Sequence, residues 1–170
     1  MRAREARASD TSAIDRLIGH YAEQGLLLPR AEAEIRGKIA NFLVLEENGN
    51  LMSCLALERY GADLAEIRSL DVHPEARGRG VGSKMIDFAF TAARRRGISR
   101  VFAVTHAPAF FLRHGFEAVR RESLADKIER DCRSCAKRSS CQLAAVIATV
   151  SPVRVTLPLP GDQLTLTPST

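Results

Sequence analysis

A glycine-rich loop in the middle of the chain limits the fold more than any other feature. The segment His73–Lys84 follows a predicted strand and leads directly into an amphipathic helix. Its glycines alternate with other residues and are Gly78, Gly80 and Gly82. Such spacing lets backbone N–H groups converge, and the helix N-terminus adds partial positive charge. The loop is therefore predicted to bind an anion the size of a pyrophosphate. Its cationic side chains are Arg77, Arg79 and Lys84.

Two better-known phosphate-binding loops do not fit this segment. A P-loop ends in Gly-Lys-Ser/Thr, whereas the order here is Gly82, Ser83, Lys84. The dinucleotide fingerprint has the spacing G-x-G-x-x-G, and this chain has G-x-G-x-G. The alternative to a binding loop is a flexible Gly-Arg turn.

Hydrophobic periodicity predicts an α/β domain with a mixed central sheet and flanking helices. Three strands before the loop read as an antiparallel meander, and Asn48-Gly49 is a strong hairpin-turn signal. These strands are Phe42–Glu46, Leu51–Arg59 and Glu66–Val72. The helix after the loop and the strand Val101–Val104 imply a parallel, right-handed crossover in the middle of the sheet.

The flanks of this unit complete the predicted domain, which spans residues 1–150. A short strand at Arg2–Ala8 precedes a helix capped by Ser9 or Asp10, and a second helix covers about 30–38. The later elements are a helix at Pro108–His114 and strands at Phe116–Arg121 and Leu143–Val150. Residues 151–170 are rich in Pro and Thr and read as an edge-strand extension or a loose tail.

Composition excludes several classes of protein. No apolar run reaches the length that spans a bilayer, and the N-terminus lacks the apolar core of a signal peptide. We therefore expect a cytoplasmic protein without a membrane partner. The net charge is +5, but aromatic residues make up only 5%, and the basic run Arg94–Arg96 has none among them. Nucleic-acid binding is disfavoured for that reason. The sequence leaves open whether the chain forms a homodimer.

The loop and its surroundings resemble the GNAT superfamily of acetyl-CoA-dependent N-acetyltransferases. The motif R-x-x-G-x-G spans Arg77–Gly82, and the segment Phe110–Phe116 follows downstream. The resemblance covers about residues 2–150. It implies that acetyl-CoA is the co-substrate, and that the strand before the loop splays from Val101–Val104 to admit the thioester. The implied pantetheine contacts are Leu70, Asp71 and Val72. The implied pyrophosphate contacts are Arg77, Gly78, Arg79, Gly80, Val81, Gly82 and Ser83.

Three further segments resemble the N-acetylglutamate synthase family. They are Gln24–Arg30, Glu66–Leu70 and Asp126–Cys135, the last resembling the C-terminal signature of the short bacterial form without a kinase domain. This resemblance implies acetylation of the α-amino group of L-glutamate, the first step of arginine biosynthesis. Two residues depart from the pattern. Asp71 stands where relatives usually have a small apolar residue, and Ala136 replaces a common proline.

Acyl transfer to an amine needs a base for the ammonium and a proton for the leaving thiolate. The resemblance makes Glu66 the candidate base, and period-2 alternation places Glu66, Arg68, Leu70 and Val72 on one face of the strand. The alternative for Glu66 is an ordinary carboxylate paired with Arg68. Many GNAT enzymes have a tyrosine that protonates the leaving thiolate at the position where this chain has Phe111. The hydroxyl of Thr105 is the substitute candidate, and a strand-end cap is its alternative role.

Two carboxylates on glutamate require cationic partners, and arginine binds carboxylate bidentately. Arg30 is the substrate ligand that the resemblance supports best, and Arg68, Arg138 and Ser140 are further candidates. Lys127 and Arg133 are two more candidates for binding a substrate carboxylate.

Cys132, Cys135 and Cys141 offer three soft metal ligands, and a fourth would come from Cys54 or a histidine. Free thiols are the alternative, and the chemistry needs no metal. Other functions open to the chain are acetylation of another small amine or amino acid, and a non-catalytic acetyl-CoA or metal sensor.

Overall fold

A seven-stranded mixed sheet lies at the centre of the computed structural model, which describes residues 1–25 and 29–150. The strand order is β1-β2-β3-β4-β5-β7-β6, and only β4 and β5 pair in parallel among these strands. The strands are β1 (Arg2–Glu5), β2 (Phe42–Glu47), β3 (Asn50–Tyr60), β4 (Leu64–Val72), β5 (Arg100–Thr105), β6 (Glu117–Val119) and β7 (Ala144–Thr149). The predicted fold class, antiparallel at first with a parallel pair in the middle, is confirmed.

Helices cover both faces of this sheet. They are α1 (Thr11–Glu23), α2 (Glu32–Gly37), α3 (Val81–Arg95), α4 (Pro108–Leu112) and α5 (Ala125–Lys127), the last continuing into a π-helical segment at Ile128–Cys132. None of the helices within the described ranges is long and apolar enough to cross a membrane. The tail at 151–170 and part of the Gln24–Arg30 segment, residues 26–28, lie outside the described residues.

Local sequence explains the main turns. Asn48 and Gly49 both have positive φ, 52° and 80°, as a two-residue turn between antiparallel strands requires. Gly97, at φ 67°, lies just after the end of α3, a position where glycine commonly ends a helix. These positions therefore set the β2–β3 hairpin and the return from α3 to β5.

Two apolar layers hold the helices against the sheet. On one face α3 packs on the alternate residues of β2–β5, including Leu55, Leu57 and Ile67, all nearly fully buried. On the other face α1 and α2 pack on Phe42, Val44 and their neighbours. The first face is called the α3 face below, and the second the α1 face.

The parallel strands β4 and β5 separate soon after they pair. Leu64, Ala65 and Glu66 lie opposite Arg100, Val101 and Phe102, and the pairing ends there. β4 continues to Val72 and β5 to Thr105. The splayed pair that the resemblance implied is therefore present, and its gap opens between the later residues of the two strands.

A bulge in β4 corrects one prediction about this gap. Cys54 lies opposite Asp71 and Ala56 opposite Arg68, so β4 has one residue more than β3 between these pairs. Ser69 adopts φ 49° within the bulge. The extra residue reverses the alternation of the side chains. Leu70 and Val72 pack on the α3 face, whereas Glu66, Arg68 and Asp71 lie on the α1 face. The prediction of one common face for Glu66, Arg68, Leu70 and Val72 was wrong.

Candidate active site

The glycine loop has the geometry of an anion site at the start of α3. Gly80 is the N-terminal cap at φ 71°, a left-handed conformation that favours glycine, and Val81 begins the helix. The first backbone N–H groups of a helix have no partner within it, so those of Val81, Gly82 and Ser83 are available to an anion. A Cβ on Gly82 would lie 3.2 Å from the Phe110 ring, so the loop packs tightly there. These residues fit the pyrophosphate of acetyl-CoA.

The arginines of the loop also hold it in place. Arg77 donates from Nε and Nη2 to the Tyr21 hydroxyl at 3.1 and 2.8 Å. The same hydroxyl donates to the Val72 carbonyl at the end of β4. Arg79 Nη2 lies 2.9 and 2.8 Å from the two carboxylate oxygens of Glu47. Arg77 therefore ties the loop to α1 and β4, a role that the sequence did not predict.

Ser83 and His114 connect the loop to α4. The His114 ring lies 2.7 Å from the Phe110 carbonyl through Nδ1 and 2.9 Å from Ser83 Oγ through Nε2. In the neutral ring Nδ1 donates to the carbonyl, so Nε2 accepts from Ser83. This bond orients the Ser83 side chain in the first turn of α3.

Glu66, the candidate base, is buried and already hydrogen-bonded. Its Oε2 accepts from the Tyr60 hydroxyl at 2.9 Å and from Lys127 Nζ at 2.8 Å. Lys127 also reaches Asp131 at 2.7 Å, so its ammonium lies between two carboxylates. The carboxylate of Glu66 is 3.7 Å from Arg68 Nε. The pairing with Arg68 that the sequence suggested is therefore longer than the hydrogen bonds to Tyr60 and Lys127.

Electrostatic effects in this network follow from burial and from the neighbouring charges. Burial raises the pKa of Tyr60, and the negative charges of Glu66 and Asp131 raise it further, so its hydroxyl is a stable hydrogen-bond donor. Burial opposes ionisation of Asp131, but hydrogen bonds from Lys127 and Tyr60 hold its pKa below the ordinary value. Asp131 is therefore the anionic partner that stays with Lys127.

A second buried carboxylate, Glu58, attracts four cations on the same face. Arg30 Nη2 lies 2.7 Å from Oε1, and Oε2 lies 3.3 Å from both Arg68 and Arg130 and 3.7 Å from Lys38. Burial opposes the ionised form, yet these cations, Arg30 first among them, lower the pKa of Glu58. Two more carboxylates share these cations, because Glu34 pairs with Arg30 and Lys38, and Asp131 pairs with Arg68 and Arg130. The four cations thus have three carboxylate partners, and the cluster carries a small excess of positive charge.

A cavity of about 510 Å³ opens beside this cluster. Its charged lining residues are Lys38, Glu58, Arg59, Arg68, Arg130 and Asp131. Four of these side chains are cationic and two are anionic. The cavity is therefore suited to an anionic ligand, and Arg68 connects it to the splayed strand β4.

Asp71 lies further along β4 on the same face. It is only 4% exposed, and its Oδ2 is buried without a hydrogen-bond partner among the described residues. Burial raises the pKa of Asp71 to about 7. Its backbone carbonyl accepts from Ser53 Oγ at 2.5 Å. The departure noted in the sequence thus places an unpaired carboxyl next to the predicted pantetheine contacts.

The other catalytic candidate, Thr105, ends β5 across the gap. Its Oγ1 accepts from the Ala107 N–H at 3.0 Å, which is the strand-end cap considered for it. The hydroxyl proton can still be donated elsewhere. Phe111 is buried against the Phe110 and Phe116 rings.

The remaining candidates are not brought to this cluster. Arg138 and Ser140 are exposed and are absent from the described lining of the cavity. Cys135 is exposed, and Cys132 and Cys141 are half-buried. Within residues 1–25 and 29–150, no group of three His, Cys, Asp or Glu side chains could hold a metal ion.

Glu58, Tyr60 and Tyr21 are site residues that the sequence reasoning missed. Glu58 and Tyr60 alternate on β3, and Glu58 lies directly opposite Glu66. That register depends on the pairing of two whole strands. Extending the alternation from β4 to its hairpin partner would have identified both residues.

Comparison with known proteins identifies the family. The acetyltransferase (GNAT) domain profile matches residues 38–118. An uncharacterised N-acetyltransferase of Chlorobaculum tepidum is 37% identical over 147 residues, covering 86% of this chain and 95% of the relative. An amino-acid acetyltransferase of Mycobacterium tuberculosis is 34% identical over 135 residues, covering 77% of each chain.

A solved structure is similar over most of this chain. It is N-acetylglutamate synthase from Neisseria gonorrhoeae complexed with coenzyme A and N-acetyl-glutamate, with a TM-score of 0.80 and 31% identity. The match covers 88% of this chain but only 35% of that longer chain. The fold and loop define a GNAT-type acyltransferase. The chain belongs to the GNAT superfamily of acetyl-CoA-dependent N-acetyltransferases, and within it to the amino-acid acetyltransferase family.

Proposed function

We propose that this enzyme transfers the acetyl group of acetyl-CoA to the α-amino group of L-glutamate. The excess of cations around Glu58 carries the proposal. Arg30, Lys38, Arg68 and Arg130 converge on one buried carboxylate beside the gap between β4 and β5. Glu34 and Asp131 share these cations, so the remaining excess of positive charge is small. Glutamate has two carboxylates and one ammonium, and its net negative charge would balance that excess.

The adjoining cavity supports the same acceptor class. Its lining has four cationic and two anionic side chains, and arginine pairs with carboxylate through two parallel hydrogen bonds. Arg30 and Arg68 are the proposed carboxylate ligands, because Arg68 lines the cavity and Arg30 contacts Glu58, which also lines it. Arg138 and Ser140 stay predictions. A similar structure was solved with coenzyme A and N-acetyl-glutamate, which agrees with this acceptor.

The proposed acetyl-CoA site lies on the other side of the gap. Its pyrophosphate would bind to the loop residues Arg77–Ser83, and its pantetheine would bind to the backbone of Leu70–Val72. Acetyl-CoA supplies an activated acyl carbon with a thiolate leaving group. The enzyme has to present the amine to that carbon and remove its proton. The amine attacks directly, so no covalent enzyme intermediate is needed.

Glu66 is the proposed base, and Lys127 makes its participation feasible. Glu66 shares Lys127 with Asp131, at 2.8 and 2.7 Å. Lys127 therefore keeps a carboxylate partner when Glu66 turns to the amine. The Tyr60 hydroxyl lies within hydrogen-bond distance of both Glu66 and Asp131, and it can donate its one proton to either carboxylate. Thr105, with a hydroxyl proton to donate, is the proposed partner of the leaving thiolate.

A thiol-release assay with acetyl-CoA and each of the twenty amino acids tests this proposal. We expect L-glutamate to give the highest kcat/KM. Faster acetylation of a neutral amino acid would contradict the glutamate assignment and favour another amino-acid acceptor. Binding of acetyl-CoA without thiol release for any acceptor would instead indicate a non-catalytic sensor. The cytoplasmic location expected from the sequence stays a prediction.

A further inference from the structure

The wall of the charged cavity includes two hydrogen-bond donors that the protein itself does not use. Lys38 Nζ lies 3.6 Å from Glu34 and 3.7 Å from Glu58, distances that are too long for hydrogen bonds. The Asn41 side chain is half-buried and makes no hydrogen bond to any residue that the structure describes. Both residues line the cavity. Their donor groups are therefore available to a ligand, and a few such polar groups usually fix the orientation of a bound small molecule.

Local structure places these two donors at one end of the cavity. Lys38 is the C-terminal cap of α2, and Asn41 ends the short 3-10 helix that follows, directly before β2. The Asn41 N–H donates to the Lys38 carbonyl at 2.9 Å, so one turn of backbone joins the two residues. Ile35 and Phe42 flank this turn and are fully buried. The turn is therefore anchored to the sheet, while Lys38 and Asn41 line the cavity.

Arg68 provides a donor at the other end of the cavity. The register of the sheet relates the two ends, because Ala56 of β3 lies opposite both Phe42 of β2 and Arg68 of β4. Asn41 directly precedes Phe42, so the ends are two strand spacings apart, roughly 10 Å. Arg68 contacts Glu58 and Asp131 through Nη1, and its Nη2 makes no hydrogen bond to a described residue. A small ligand with an acidic group at each end could therefore bridge the cavity.

The chemistry determines which end of the acceptor lies at which end of the cavity. Attack on the thioester requires the α-amino group at the gap between β4 and β5, and the α-carboxylate is attached to the same carbon. Arg68 follows the last paired residue of β4, Glu66, so it lies at this gap. Lys38 and Asn41 lie on the side of β2, which is separated from β4 by β3. The side chain of the acceptor therefore extends toward Lys38 and Asn41.

We infer that Lys38 and Asn41 bind the side-chain carboxylate of the acceptor, while Arg68 binds its α-carboxylate. This inference rests on the proposed function and assigns the residues that select the side chain. The Lys38 ammonium can only donate, and it pairs more strongly with a charged carboxylate than with the neutral carboxamide of glutamine. The amide of Asn41 can donate to an oxygen of either group. Lys38 therefore selects for charge, whereas Asn41 serves both side chains.

Steady-state kinetics of Lys38→Met with L-glutamate and L-glutamine test this selection. We expect kcat/KM for glutamate to fall about ten- to a hundredfold, the range for a lost charged contact, and that for glutamine to change little. The loss should appear in the glutamate KM and leave kcat nearly unchanged, because the contact is equally strong in the ground and transition states. Lys38→Arg keeps the charge and should keep most of the preference. Glu58 retains three arginine partners in these variants, so the fold should tolerate them.

Asn41→Ala separates the two donors. The amide serves both acceptors, so this variant should raise the KM of glutamate and of glutamine alike and leave their ratio unchanged. A change of the ratio as large as that of Lys38→Met would overturn the separate roles of the two residues.

Arg36→Met is the matched control for Lys38→Met. Arg36 lies on the same helix with the same charge, pairs with Glu32 at 2.7 Å and is absent from the described lining of the cavity. The control should leave the glutamate-to-glutamine ratio unchanged. Lys38 also lies at the negative end of the α2 dipole, and a purely structural role there would affect both acceptors equally. Equal losses for both acceptors in Lys38→Met, or an unchanged ratio, would overturn the inference. Failure of the glutamate proposal would be seen separately, as a different best acceptor of the unmodified enzyme in the thiol-release assay.

Discussion

The Lys127 ammonium lies 2.8 Å from the Glu66 carboxylate, although the two residues are 61 positions apart. Glu66 belongs to the strand that borders the thioester gap, and Lys127 belongs to the C-terminal segment after β6. Tyr60 and Asp131 complete the same network. The segment after β6 is therefore joined to the proposed base by buried charge, and its integrity should matter to stability and to turnover.

Lys127→Met tests this connection through stability. The substitution leaves Glu66 and Asp131 without their shared cation, and breaking a buried pair on one side costs about 3–5 kcal/mol. We expect urea unfolding to show a loss of that order. Lys137→Met is the matched control, because Lys137 is exposed and its loss should cost less than about 0.5 kcal/mol. Similar unfolding midpoints for the two variants would show that the network contributes little.

Glu66→Gln tests the proposed base. We expect kcat to fall by roughly 10²- to 10⁴-fold, the usual range for loss of a general base. The amide keeps the size of the side chain, so calorimetry should show unchanged acetyl-CoA affinity. Near-normal turnover between about pH 6 and 9, where a base should matter, would assign the proton transfer to another group.

Gly80→Val tests the anion loop. Gly80 has φ 71°, so a β-branched residue would strain the backbone at the start of α3 and move the N–H groups. We expect CoA affinity to fall by tenfold or more, about 1.4 kcal/mol. The control is Gly19→Val in α1, where an added Cβ meets nothing within 4 Å. A folded Gly80→Val variant with wild-type CoA affinity would refute the loop assignment.

Arg30→Ala tests the carboxylate contact. Removing one charge-assisted contact should lower kcat/KM for glutamate by roughly ten- to a hundredfold and leave the acetyl-CoA KM nearly unchanged. Glu58 keeps Arg68, Arg130 and Lys38 as partners, so the fold should tolerate the change. Arg30→Lys should restore only part of the activity because it loses the fork geometry. Equal losses for both substrates would instead assign Arg30 a structural role.

Local signals explain why much of this fold was predictable from the sequence. The Asn48-Gly49 turn, the glycines of the loop and the helical period after it each depend on a few neighbouring residues. The bulge at Ser69 has no such signal, because glycine is absent there and the register of β3 creates the extra residue. Its effect was large, since it placed Leu70 and Val72 on the face opposite to Glu66 and Arg68.

The charge network was predictable only in part. Glu66, Arg30 and Arg68 were identified from resemblance, but their partners depend on contacts between distant segments. Arg30 meets Glu58 across 28 positions, and Tyr60 meets Asp131 across 71. Such pairs follow from the folded topology and from burial, which no local pattern encodes.

Competition between L-glutamate and L-glutamine tests the central claim most directly. The two acceptors have nearly the same shape and differ in one carboxylate, so their kcat/KM ratio measures whether the cations around Glu58 select for charge. We predict that glutamate is preferred by about ten- to a hundredfold, the range for one charged contact. An equal or higher kcat/KM for glutamine would contradict the account.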